Sequence, residues 1–278
     1  MKIVSRGKVL NSPEFYKKKR RKRKIKIILL SLGLLIIVVS LVYFSRHERI
    51  QIAEITVSGE TVVSEDAIVS TVEETLNGYY FWLIPRSNAL VYPRGVVEQT
   101  LFKKFPRLKS INLNLDNFQK LYIAVEERVP DALYCTIFST TDISECYFID
   151  ENGFIFAPAP SFSDGVYFVY TTRDLIENPL GKRFISPNDF ELLTKFIKSL
   201  ETLGIYSSAL AIEADQYIIF LPNYAQIIWR KDANLLVIYA NLEAFLSDDS
   251  IKAQENFLEK ITYLDLRTEN KVFYKFRD

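Results

Sequence analysis

Eighteen consecutive residues, Ile27 to Phe44, carry no charge, and their run of Leu, Ile and Val is broken only by Ser31, Gly33 and Ser40 before Tyr43 and Phe44 close it. At about 1.5 Å of rise per residue such a segment is roughly 27 Å long as a helix, close to the hydrocarbon thickness of a bilayer. The spacing predicts a membrane-spanning helix over 27–44, with the two aromatics where an interfacial belt lies. A cleaved signal peptide is the rival reading, but the run exceeds an apolar signal core and no small-residue cleavage site follows. The block Lys17-Lys18-Lys19-Arg20-Arg21-Lys22-Arg23-Lys24 abuts the span. The positive-inside rule then keeps the N-terminus in the cytoplasm and sends everything after about Arg46 outside the plasma (inner) membrane.

Charge follows the same division. Residues 1–26 hold 12 Lys/Arg against Glu14, a net of +11, which leaves 23 basic and 33 acidic side chains for the rest of the 278-residue chain. An acidic body is a poor match for phosphate backbones, so nucleic acid is not an expected partner. The basic tail needs no more than topology and anionic lipid headgroups to explain it.

Beyond the span the pattern is α+β. Ile50 to Gly59 has apolar residues mostly two apart and reads as a strand ending in a turn. Ser64 precedes an acidic first turn and the set Ile68, Val69, Val72 and Leu76, an N-capped amphipathic helix that Asn77-Gly78 stops. An aromatic segment, Tyr79 to Ile84, and two prolines lead to a second helix over about Arg94–Phe105. Strands follow at Leu108–Leu115 and Gln119–Glu126. This βααββ order over 50–128 predicts two helices on one sheet face. Arg128-Val129-Pro130 marks a boundary, and 129–278 reads as a β-rich domain with flanking helices. Its expected strands are Leu133–Ile137, Glu145–Ile149, an Asn-Gly hairpin over Phe148–Phe156, then Ala209–Glu213, Tyr217–Leu221 and Ala225–Arg230. Helices are expected from Pro187 or Asn188 to Leu203 and over Asn234–Phe245. A final strand pair, Ile261–Arg267 and Lys271–Phe276, closes the chain.

Cys135 and Cys146 lie on the expected outer side, where disulfides persist. A loop centred between Thr140 and Thr141 puts them directly opposite on a hairpin, within disulfide reach, and the loop-closure estimate gives such a bridge roughly 3 kcal/mol. No metal site is expected, since the one His, His47, sits beside the membrane and no Cys-x-x-Cys occurs. No nucleophile motif, phosphate loop or facing carboxylate pair stands out, so neither catalytic residues nor cofactors nor a small-molecule substrate are expected. Neighbouring carboxylates such as Glu126-Glu127 point to opposite faces of a strand.

The terminal hairpin is the most informative exposed feature. A three-residue loop, Thr268-Glu269-Asn270, sets Leu266 opposite Val272 and Leu264 opposite Tyr274 on one apolar face. Asp265 then faces Phe273, flanked by Lys271 and Lys275. Asp265 and Arg267, two apart, read as a structural ion pair. Two readings of the last strand stay open: a sheet edge protected by lysines, or an edge to which a partner adds a strand with Phe273 as anchor.

Several segments carry a likeness to a known family: Ile55-Thr56-Val57-Ser58-Gly59, Leu121 through Pro130, Phe148 through Phe156 with its Asp-x-x-Gly turn, and Tyr263-Leu264-Asp265-Leu266-Arg267 followed by Asn270 through Lys275. In that order behind a membrane anchor, the chain resembles the FtsQ/DivIB family of bacterial cell-division proteins. It departs from the family at Thr268-Glu269-Asn270, where relatives often carry an aromatic-Gly-Asn turn. The resemblance implies a POTRA-like module followed by a β domain, and a non-enzymatic divisome scaffold at the division septum. It further implies that FtsB/FtsL-type division proteins bind the last strand, at Val272, Phe273, Tyr274, Lys275 and Phe276. A POTRA-bearing secretion or outer-membrane assembly component that binds client polypeptides is the alternative.

Overall fold

The computed structural model describes residues 13–136, 145–161, 165–173, 176–269 and 271–277. A single helix, α1 (Pro13–Ser45), runs through the basic block and the apolar segment together. Leu, Ile and Val along its apolar half are exposed, as side chains meant for lipid are. It is long and apolar enough to cross a membrane. The charged linker behind it forms a 3-10 turn, Glu48–Ile50, capped by His47, whose Nδ1 accepts from the Arg49 N–H at 3.2 Å.

The chain divides into two compact units: Met1–Ser58, Glu65–Thr100 and Asn112–Ala124 in one, Gly59–Ser64, Leu101–Ile111 and Val125–Asp278 in the other. The elements after α1 are β1 (Glu54–Ser58), α2 (Glu65–Leu76), β2 (Tyr79–Tyr80), β3 (Ile84–Pro85), α3 (Arg94–Lys104), β4 (Leu108–Asp116) and β5 (Lys120–Glu127). Their sheet has the order β1-β5-β4, with β1 parallel to β5 in the register Val57↔Ile123. Burial alternates along β5, at Leu121, Ile123 and Val125, while α2 buries Ile68, Thr71, Val72 and Leu76 at helical spacing. The expected βααββ order holds with one addition, the short β2–β3 hairpin between the helices.

The second unit adds β6 (Ala132–Cys135), β7 (Cys146–Ile149), β8 (Ile155–Pro158), β9 (Val169–Thr172), α4 (Pro187–Leu200), β10 (Ala209–Ile212), β11 (Gln216–Phe220), β12 (Gln226–Arg230), α5 (Leu235–Ser247), two single-turn helices α6 (Asp249–Lys252) and α7 (Phe257–Lys260), β13 (Ile261–Asp265) and β14 (Phe273–Phe276). Nine strands make one mixed sheet, β14-β13-β12-β11-β10-β9-β6-β7-β8. Its main core joins alternate strand residues (Tyr134, Leu210, Ile219, Ile227, Trp229, Leu264) to Phe190, Leu193, Phe196 and Leu200 of α4 and Ile238 and Leu242 of α5. Trp229 is fully buried, met edge to face by Phe196 at 5.2 Å and by a tilted Tyr217 ring at 5.6 Å. Residues of opposite parity at the β6–β8 end, including Leu133, Cys135, Phe148 and Phe156, form a smaller cluster.

Local signals account for the helix ends. Ser186 caps α4 by accepting the Asp189 N–H, Pro187 fills the first turn, and Gly204 stops the following 3-10 turn in the left-handed region at φ 74°. Cys135 and Cys146 are bonded and directly paired across β6 and β7, Cα atoms 4.1 Å apart. Ile137 and the expected loop centre at Thr140 and Thr141 lie outside the described residues. Two expectations need correction. The expected strands omit β9, which takes a place between β6 and β10, parallel to both. The regular part of the penultimate strand stops at Asp265, so Arg267 lies beyond β13.

Candidate functional site

β14 is the edge strand of the nine-stranded sheet, paired on its inner side with β13 and with no strand beyond it among the described residues. The antiparallel register is Asp265↔Phe273, Leu264↔Tyr274 and Tyr263↔Lys275, as the alternation of the two strands predicts. Leu266 is buried and Val272 packs against the same core, which continues that register past the strand ends. Asn270 lies outside the described residues.

Neighbouring residues on β14 point to opposite sides, and this sorts the five candidate residues into two groups. Tyr274 and Phe276 face the helices: the Tyr274 ring lies 5.6 Å from Phe245 on α5 and 5.4 Å from Phe257 on α7, and Phe276 lies 5.8 Å from Phe257. Tyr274 and Phe276 also meet edge to face at 5.4 Å. Phe273 and Lys275 share the other side, where Phe273 is 51% exposed. The four aromatics therefore seat the strand, while Phe273 stands free of that cluster.

The far end of β14 is pinned as well. The Arg277 N–H donates to Lys260 O at 2.8 Å, its Nε donates to Ile261 O at 3.1 Å, and its Nη2 bonds Asn223 O. Asn223 in turn donates from Nδ2 to Leu258 O at 3.0 Å. Sequence reasoning missed Arg277, Phe245 and Phe257, because each acts across a distance of many residues. The one local hint was aromatic density on α5 and α7 ahead of an aromatic last strand.

At the turn end, Asp265 and Arg267 do form an ion pair, though not as neighbours on a strand face. The Arg267 N–H folds back onto Asp265 Oδ1 at 3.0 Å, and the guanidinium grips both carboxylate oxygens, from Nε at 3.0 and 3.1 Å and from Nη2 at 2.6 Å. Its Nη1 reaches Gln216 Oε1 at 2.9 Å, tying the turn to β11. The Arg267 bonds hold the Asp265 carboxyl below the usual carboxylate range.

Searches against protein-family models and curated proteins give no match. Several residues of the segments that carry the family resemblance have a physical explanation within the second unit. At Gly59, with φ 90°, a Cβ would sit 2.2 Å from Val125 O, so only glycine fits there. Asp150 is fully buried. Its Oδ1 accepts the N–H groups of Asn152 and Phe154, both at 2.9 Å, and its Oδ2 pairs with Arg128, whose guanidinium lies 4.0 Å over the Phe154 ring. Glu127 Oε1 accepts three successive N–H groups, from Thr61, Val62 and Val63, at 2.8 to 2.9 Å. Burial alone would raise its pKa, but those donors outweigh it and leave the carboxyl lowered. These bonds pin the turns in which Asp150 and Glu127 sit. Among the described residues no three His, Cys, Asp or Glu side chains gather as a metal ion would require.

Proposed function

We propose that this chain is a non-enzymatic, membrane-anchored scaffold of the bacterial division apparatus, of the FtsQ/DivIB kind, with its first α+β module a POTRA-like domain. In this reading α1 holds the protein in the plasma membrane at the septum with its N-terminus in the cytoplasm. FtsB/FtsL-type partners dock on the outer side by adding a strand to β14. The observation that carries the reading is the open edge itself, a terminal strand firmly seated by Tyr274, Phe276 and Arg277 yet leaving its outer backbone and Phe273 accessible. Strand addition draws affinity from main-chain hydrogen bonds and specificity from alternate side chains. A rigid, pre-formed edge lowers the ordering cost of that step.

Depletion followed by microscopy tests the role: filamentous cells without septa are expected, whereas normal septa with a secretion defect would overturn it. Co-purification with the membrane-anchored division proteins tests the edge. Phe273→Glu is expected to abolish recovery while leaving the fold intact, and undiminished recovery would refute docking at β14.

A further inference from the structure

The two most exposed large apolar side chains among the described residues are Phe81, at 91%, and Trp82, at 90%. They sit at the tip of the β2–β3 hairpin, followed by Leu83, also exposed. Both have left-handed backbone angles, φ 48° and φ 61°, uncommon for bulky residues. A tight hairpin turn with two such residues ordinarily takes Asn-Gly. Here two aromatics occupy it and bury almost none of their own surface, so folding of this unit alone does not explain them.

Their position supplies a reason. Ser45 is the last residue of α1, and Arg46 immediately after it donates from Nε to Leu83 O at 3.1 Å and from Nη2 to Trp82 O at 3.2 Å. The Arg46 guanidinium also covers the Tyr79 ring at 5.7 Å. Asn88 Nδ2 donates back to Ser45 O at 2.8 Å, and the Ile52 N–H to Ser87 O at 2.8 Å. The hairpin tip is thus held one arginine side chain from the point where the apolar helix ends. The interfacial layer on each side of a bilayer is roughly 5–8 Å deep, so a tip tied to the helix exit falls within it. Trp and Tyr concentrate at that depth, apolar body toward the chains and polar edge toward water. Two cations lie on the hairpin's own rings, Arg46 over Tyr79 and Arg86 over Tyr80 at 5.8 Å, with Glu73 lining the same hollow as Arg46 and Tyr79, and such side chains can carry their charge up to a phosphate layer.

We infer that Phe81, Trp82 and Leu83 insert into the headgroup region of the same bilayer that α1 spans, giving this unit a second membrane contact on the outer side. The inference rests on α1 being a membrane span, and the two fail separately. The full chain is reconstituted into phosphatidylethanolamine–phosphatidylglycerol vesicles and floated through alkaline carbonate. Loss of the protein from the floated vesicles refutes the span, and the inference with it. In retained protein, the difference between the emission of the unaltered chain and of Trp82→Phe isolates Trp82, because the only other tryptophan, Trp229, is fully buried in the second unit. Phospholipid brominated high on the acyl chain is expected to remove most of the Trp82 component and to leave the Trp82→Phe spectrum unchanged. Quenching by aqueous acrylamide but not by brominated lipid overturns the inference. Protection from both quenchers also overturns it, since a protein would then cover the tip.

Discussion

At one margin of the nine-stranded sheet β8 is closed by its own chain, while at the other β14 is left open. Ile155 on β8 has both backbone groups taken from outside the sheet, its N–H by Lys182 O at 2.9 Å and its C=O by the Gly181 N–H at 2.8 Å. Pro158, the last residue of β8, has no N–H to offer. Ile155, Phe156 and Ala157 are buried, and Phe154 beside them is covered by the guanidinium groups of Arg128 and Arg183, at 4.0 and 5.4 Å. On β14 all four residues are exposed, no proline interrupts them, and no loop crosses them among the described residues. The chain closes one margin with a loop and a proline and uses neither device at β14 among the described residues. Lys271 and Lys275 are the side-chain means by which edge strands discourage indiscriminate pairing.

The closed margin is where the largest effect on stability is expected. Asp150→Ala strips Arg128 of its buried partner and leaves the Asn152 and Phe154 N–H groups without an acceptor. Breaking a buried pair of this sort costs about 3–5 kcal/mol. Denaturant unfolding of the chain measures it, and a change below about 1 kcal/mol would mean that the pair does not hold this margin. Replacing both Cys135 and Cys146 by serine removes the covalent link between β6 and β7 and is expected to cost about 3 kcal/mol on the loop-closure estimate. The same unfolding experiment, run with and without reductant on the unaltered protein, checks that figure independently.

The open margin should behave in the opposite way. Phe273→Glu removes a side chain that touches none of the aromatic cluster, so unfolding should move by no more than about 0.5 kcal/mol. Loss of a central aromatic anchor from a partner interface typically costs at least about 2 kcal/mol, roughly a thirtyfold weaker complex. Titration calorimetry or pull-down against the partner, set beside unfolding, separates these two numbers. If both margins lost stability and neither lost binding, the contrast between them would be only one of exposure.

How much of this contrast the sequence shows depends on the range over which each contact acts. The β13–β14 register follows from two short alternations, and Ser186, Pro187 and Gly204 mark α4 because caps are local. The open edge was therefore legible. β9 was not, since Tyr167 to Thr172 does not alternate cleanly, as befits a strand flanked on both sides by parallel neighbours. β2 and β3 have two residues each, too few for any period. Asp150 looks like a solvated turn residue until Arg128, 22 positions away, is brought against it. The devices that close β8 are tertiary throughout, and only Pro158 announces itself in the sequence.

The smallest expected effect lies at the turn of the open hairpin. Arg267→Ala removes a bidentate but solvent-facing pair, worth about 0.2–1 kcal/mol. Because Arg267 depresses the Asp265 pKa in the folded state, the pair contributes in full above the pKa of an unfolded aspartate, about 3.9, and that contribution is lost as pH falls through the lower folded value. The stability difference between the unaltered protein and Arg267→Ala should accordingly be constant near neutrality and shrink to nothing in acid. Glu127 is also lowered, but by backbone donors that Arg267→Ala leaves in place, so its own acid loss is common to both proteins and cancels in the difference. A difference that persisted below that range would show Arg267 acting through Gln216 and β11 instead of through Asp265. The turn of the open hairpin would then be held by its tie to β11 and not by the local ion pair.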